Sequence, residues 1–285
     1  MKKSPLVSII MPTHNRSAFL LESLESILSQ SYSNWELIIV ADACTDNTNE
    51  LIEPFLKDDR ICFIETELNI GGAGARNMGL NMAKGEYISF LDDDDIWNHD
   101  KTKIQLDFLQ KNPHQKLVYC NFNQWFQNGK KNEIILNSSI PFEDLLILNL
   151  IGSFSFVMVK ASELQKIRID PELKSCQDWD LWTKVLRNST AQNCNLNLVD
   201  YRMHGQKKIS TNKDSISVGY QKWYNNNKEF MNYSLKSFHE TVIKIKKEKK
   251  LYKCFKFGLI FVLKNPVNFY LNSIILRTIY LNVLK

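Results

Sequence analysis

The chain has 285 residues, 44% of them hydrophobic, enough for one large domain or one domain with an appendage, and a net charge of +5. That charge is uneven: from Lys236 onward eleven Lys or Arg face only Glu240 and Glu248, a net +9, which leaves 25 basic against 29 acidic side chains, or −4, for the rest. A mildly acidic body excludes a basic nucleic-acid-binding surface there, and no apolar run reaches the roughly 20 residues of a membrane span. The N-terminal MKKSPLVSIIMP reads as a first strand rather than a signal peptide. The cysteines (Cys44, Cys62, Cys120, Cys176, Cys194 and Cys254) form no CxxC pair, as expected of reduced thiols in a cytoplasmic protein.

Leu6 to Met11 is an apolar strand that ends at Pro12 and the polar turn Thr13, His14, Asn15, Arg16. Ser17 can cap a helix whose Leu20, Leu21, Leu24, Ile27 and Leu28 share a face. Trp35 to Val40 is a second strand, ending in Asp42, Cys44, Thr45 and Asp46 before a helix through Leu51, Ile52 and Phe55. Ile61 to Ile64 is a third, followed by NIGGAGARNMG and a helix that stops near Gly85. The fourth strand, Tyr87 to Leu91, delivers Asp92, Asp93, Asp94 and Asp95 at its carboxyl end. Four strand–helix alternations within about 95 residues predict an α/β fold with a mostly parallel sheet flanked by helices. Right-handed crossovers then bring the polar strand ends to one edge, where open α/β sheets bind ligands. Beyond it, Lys116–Phe126, Phe154–Val159 and Leu196–Met203 read as strands; Phe142–Leu150, Gln177 towards Arg187, and about 213–236 read as helices.

Adjacent carboxylates repel, so Asp92–Asp95 need cations or hydrogen-bond donors nearby. A divalent metal that shares its shell with substrate phosphates answers that need; a solvated loop or a helix cap is the plain alternative. Gly72–Ala73–Gly74 opens a helix after a strand, but Asn77 stands where a dinucleotide fingerprint needs its third glycine. Arg76 beside the acids suits a phosphate or an internal ion pair. Asp42, between Ala41 and Ala43, leaves room for a flat base; helix capping is its ordinary alternative, for which Thr45 and Asp46 are better placed. Asp178 and Asp180 sit two apart at a helix start and face different ways, so spacing alone does not choose between them. His204 offers a nitrogen ligand to a carboxylate site.

Together VSIIMPTHNR, WELIIVADACTDNT, NIGGAGARNMGLNMAKGEYISFLDDDDIW, QDWDLW and YRMHG resemble, in order and over roughly residues 5 to 210, the inverting family 2 glycosyltransferases of the GT-A fold. The resemblance implies a nucleotide-sugar donor, UDP favoured, a divalent cation (Mn²⁺ or Mg²⁺) and direct displacement at the anomeric carbon. It implies a donor loop of Pro12, Thr13 and Asn15, a base-reading Asp42, the ARNxG arginine Arg76 and a DxD region over Asp92, Asp93 and Asp94. It further implies Asp178 as catalytic base, and Asp94, Asp92 and His204 as the metal set. Ala41, Ala43, Cys44 and Gln177 depart from the family's usual residues, and four aspartates in a row leave the metal register open by one residue. The implied acceptor is a glycan or lipid-linked hydroxyl in bacterial surface polysaccharide synthesis; a nucleotidyltransferase and a non-catalytic binding module are the rivals.

The expected division is a catalytic domain over 1–212, with a nucleotide half at about 1–97 and an acceptor half at about 98–212, and a helical region over 213–285. Its basic, aromatic segment 241–285 reads as an anchor on the inner face of the cytoplasmic membrane, with a homodimer contact or a flap on the domain as alternatives.

Overall fold

A computed structural model describes residues 4–204 and 213–247, with residue 274. The expected alternation is present: β1 (Val7–Thr13), α1 (Ser17–Leu28), β2 (Trp35–Asp42), α2 (Thr48–Ile52) with a 3₁₀ turn to Lys57, β3 (Ile61–Thr66), α3 (Gly71–Met82) and β4 (Tyr87–Phe90). After these come β5 (Ile96–Trp97), α4 (Lys101–Lys111), β6 (Leu117–Phe126), β7 (Lys131–Ile134), β8 (Ser139–Pro141) and α5 (Phe142–Leu145). The unit closes with β9 (Val157–Lys160), α6 (Ala161–Leu164), α7 (Gln177–Val185) and β10 (Thr190–Met203).

One mixed sheet runs β3-β2-β1-β4-β9-β6-β10-β5, with β7 on β6 and β8 on β10. Strands β3, β2, β1 and β4 are parallel; β9 turns antiparallel to both β4 and β6. The β1 strand is buried throughout, as its unbroken apolar run requires. Pro12 is tolerated inside it because pairing with β4 ends at Ile10–Phe90, so no ladder partner on that side needs the missing N–H. A single large core of Ile9, Leu24, Phe90, Leu106, Val157 and Trp182, among others, fixes the strand ends that carry the polar loops.

Three expectations change. Helix 142–150 is one turn, because Asn149 folds back on Gly152 N–H (3.0 Å) and Gly152 takes a left-handed φ of 88°. Phe154–Phe156 is a 3₁₀ turn before β9 rather than strand. The helix over 213–236 splits into α8 (Lys213–Asn227), a 3₁₀ turn and α9 (Tyr233–Lys247), with Asn232 Oδ1 capping Leu235 N–H at 2.9 Å. Helix α4 leaves a weak sequence signal since its buried face includes Lys101, Thr102 and Gln105.

The chain forms two compact units. The first holds residues to Pro171 and from Gln177 through β10; the second holds Glu172–Cys176, α8 and α9. In the second, α8 and α9 bury Trp223, Phe238 and Val242, and Tyr220 Oη meets His239 Nδ1 at 2.6 Å. The proposed anchor beyond Lys247 lies outside the described residues apart from residue 274. Among the described residues no helix is long and apolar enough to cross a membrane, and all five cysteines are free.

Candidate active site

The four polar loops do meet, and side chains stitch them together. Asn15, in a left-handed conformation (φ 52°), accepts with Oδ1 from Thr45 N–H (2.7 Å) and Asp46 N–H (3.2 Å), joining the loops after β1 and β2. Thr13, buried, ends β1 opposite Ala41. His14 Nδ1 lies 2.5 Å from the Asp42 carbonyl, which requires the proton on that nitrogen. Asp46 accepts from Ser17 N–H (3.1 Å) and Thr48 N–H (3.2 Å), so it caps both α1 and α2; Ser17 is capped rather than the cap.

Asp42 does hold a helix N-terminus, but that of α3 rather than of the helix that follows it in the chain. Its Oδ1 accepts from Ile70 N–H (2.7 Å) and Thr66 Oγ1 (3.2 Å), and its Oδ2 from Gly71 N–H (2.8 Å). A carboxylate at the end of β2 thus holds the N-terminus of α3, where free amides and the helix dipole favour negative charge. Gly71 is needed there for its φ of 73°, and Gly72 because a Cβ would stand 2.9 Å from the Arg76 guanidinium folded over it.

The run of four carboxylates is resolved by three arginines. Asp92 pairs through Oδ1 with Arg76 Nη2 and takes Ser153 Oγ–H on Oδ2 (3.1 Å). Asp93 is buried 3.6 Å from Arg16 Nη1, and its carbonyl accepts from Ser23 Oγ (3.0 Å). Burial, helped by the neighbouring Asp94 charge and opposed by Arg16, pushes its carboxyl up to about 7. Asp94 Oδ2 takes both Arg16 Nη1 and His204 Nε2, the latter at 2.8 Å. Asp95 Oδ1 accepts from Arg202 N–H (3.3 Å), while Arg202 Nε–H reaches the Asp94 carbonyl (3.1 Å).

Arg76 ties this acidic loop to α7. It stacks 4.1 Å over the Phe154 ring, pairs with Asp92, and donates to Gln177 Oε1 at 3.3 Å. Gln177 opens α7, and Asp178 follows, partly buried, with Oδ1 accepting its neighbour's Trp179 N–H at 2.7 Å. Loss of water, with the Asp92 charge adding to it and Arg76 opposing, pushes the Asp178 carboxyl up to about 6. Trp179 Nε1–H to the Leu145 carbonyl (2.6 Å) and Trp182 Nε1–H to the Gly152 carbonyl (3.3 Å) pin the helix in place. Asp180 is fully buried and paired with Lys184 at 2.5 Å. Between the two acids, only Asp178 keeps access to solvent.

Of the expected metal set, Asp94 and His204 come together and Asp92 turns aside to Arg76 and Ser153. Among the described residues no group of three or more His, Cys, Asp or Glu side chains is placed to hold a metal ion. One carboxylate and one imidazole nonetheless suit an ion that completes its shell with substrate phosphates and water. The donor set therefore fits a shared site rather than an all-protein cage.

Motif reading missed Arg16 and Arg202 as partners of the acids, and Ser153, Ser155 and Phe154 as their supports. Ser155 Oγ accepts from Asp92 N–H (3.1 Å), and Phe19 stacks on His204 at 4.6 Å between ring centres. The one local signal was the excess of carboxylates, which demands cations that only tertiary contact can supply.

The family model described as "Glycosyl transferase family 2" matches residues 8–163. A glycosyltransferase of Bacillus subtilis assigned to teichuronic acid biosynthesis, TuaG, is 33% identical over 213 residues, 73% of this chain and 83% of TuaG. The Escherichia coli enzyme named UDP-Glc:alpha-D-GlcNAc-diphosphoundecaprenol beta-1,3-glucosyltransferase WfgD is 34% identical over 213 residues, 73% of this chain and 81% of WfgD. Among solved structures, S. aureus TarS 1-349 in complex with UDP-GlcNAc superposes with a TM-score of 0.64 at 18% identity, covering 84% of this chain and 72% of that one. This last likeness is one of fold.

Proposed function

Given that the chain belongs to glycosyl transferase family 2 and is a glycosyltransferase of GT-A-like fold, we propose that it is an inverting transferase. It moves a sugar from a UDP-sugar to a hydroxyl of a glycan or lipid-linked acceptor during synthesis of a bacterial surface polysaccharide. The donor class is supported by the name of WfgD and by the nucleotide sugar bound in the TarS complex, and the acceptor class by the diphosphoundecaprenol in WfgD's name. The reading places the work in the cytoplasm or at the inner face of its membrane.

One observation carries the assignment of roles: the Asp178 end of α7 is tied through Gln177 and Arg76 to the acidic loop. Asp178 takes the proton of the acceptor hydroxyl as its oxygen bonds to the anomeric carbon. The bond from that carbon to the donor's diphosphate breaks in the same displacement, and the nucleoside diphosphate leaves with the electron pair. A carboxyl pushed up to about 6 is a stronger base than an ordinary aspartate yet remains mostly ionised at pH 7. Arg76 fixes Asp92, and Thr13, Asn15 and Asp42 shape the floor on which the nucleoside rests. Asp94 and His204 would hold a divalent cation, Mn²⁺ or Mg²⁺, which supplies positive charge to a leaving diphosphate when bound.

The test is sugar transfer from UDP-sugars to an undecaprenyl-diphosphate-sugar acceptor, with UDP binding measured alongside. Asp178→Asn removes transfer by at least about 10³-fold and leaves UDP affinity within about twofold. Substantial transfer by this variant rejects Asp178 as the base.

A further inference from the structure

Charge converges on a single atom of the site, Asp94 Oδ2. Arg16 Nη1 and His204 Nε2 both bond to it. A cation that binds Asp94 through this oxygen must take it from a guanidinium already there. Arg16 is well placed to give it up. Its side chain is 20% exposed, against 10% for Arg76 and 13% for Arg202, the other arginines that meet the acidic loop. Its backbone is held independently, because the Arg16 carbonyl accepts the first bonds of α1 from Phe19 N–H (3.0 Å) and Leu20 N–H (3.2 Å). A second resting place is close, since the same Nη1 stands 3.6 Å from Asp93 Oδ1.

We propose that Arg16 is a positioning residue that competes with the divalent cation for Asp94. It neutralises and orients Asp94 when no cation is bound, then passes Oδ2 to the cation as cation and donor diphosphate arrive together. This inference rests on the reading of Asp94 as a cation-holding residue. The physical advantage is that the acidic loop is never left uncompensated, since isolated buried carboxylates are costly. The consequence is weak cation binding by the protein alone: the ion must displace an intact pair, and the diphosphate's own oxygens tip that exchange.

The experiment measures Mn²⁺ affinity by electron paramagnetic resonance of the free ion, on the full chain, with and without UDP. Without UDP, Arg16→Gln binds Mn²⁺ at least about tenfold tighter than the native protein, equivalent to about 1.4 kcal/mol, and UDP narrows the gap. Arg16→Lys keeps a cation at the same place and binds as the native protein does, which also guards against a misfolded glutamine variant. Arg60→Gln removes the same charge from an exposed pair with Asp58 at the opposite edge of the sheet, and changes affinity less than about threefold. Equal affinity of Arg16→Gln and native protein, with Asp94→Asn weakened, overturns the competition and leaves the cation reading standing. Tightening by Arg60→Gln as large as that by Arg16→Gln overturns it too, since net charge alone would then account for the effect. Absence of Mn²⁺ binding by every form, even with UDP, overturns both.

Discussion

Asp42→Asn separates two roles for one carboxylate. In the native protein both oxygens are engaged at the start of α3, with Ile70 N–H at 2.7 Å, Gly71 N–H at 2.8 Å and Thr66 Oγ1 at 3.2 Å, and the residue is 3% exposed. Asparagine keeps one carbonyl oxygen for one of the two amides and turns its NH₂ towards the other, donor against donor. Hydrogen bonds to a charged acceptor are worth about 1.5–3 kcal/mol and a neutral one about 1, so the exchange costs roughly 2–4 kcal/mol. For a protein of this size that is a fall of about 5–10 °C in melting temperature. Thermal melting by circular dichroism, joined to amide hydrogen exchange, reads it: the Ile70 and Gly71 amides should lose protection first. A variant that melts within about 1 °C of the native protein, with both amides still protected, would refute the claim that Asp42 anchors α3. A loss of UDP binding by such a variant would point instead to direct contact of Asp42 with the base.

Two further outcomes follow from the same geometry. With Asp178 as the base, transfer at limiting substrate falls below an apparent pKa of about 6, because a protonated carboxyl cannot accept the hydroxyl proton, and levels off above it; a rate independent of pH between 5 and 8 contradicts this. Ala43 holds a left-handed φ of 48° beside Asp42, so Ala43→Gly relieves about 1–2 kcal/mol of backbone strain, part of which is offset by the glycine's greater unfolded-state freedom. A net gain of about 0.5–1 kcal/mol in urea unfolding is expected, and a loss of stability would show that the strain is absent.

Much of the architecture was legible in the order of apolar runs, because a buried parallel strand must be continuously apolar and its crossover helix must carry one apolar face. β1 to β4 and the helices between them are found within a few residues of where that pattern puts them. Where buried positions are polar the pattern weakens. Lys101 and Gln105 lie on the inner face of α4, and Thr190–Gln192 at the start of β10 pair with β8 despite their polar surroundings in TAQNCN. Gly152 likewise ends a turn that continuous helical spacing would have extended.

By itself the sequence determined the chemistry available: a run of aspartates at a strand end, basic and amide residues at the neighbouring ends, and a distant Asp178 or Asp180. Tertiary structure decided which atom meets which. It sent Asp92 to Arg76, Asp94 to Arg16 and His204, Asp42 to the amides of α3, and buried Asp180 against Lys184 while leaving Asp178 open. Periodicity is local, whereas the acids after β4 are compensated by partners separated by 16 to 110 residues along the chain, brought together only when the sheet closes.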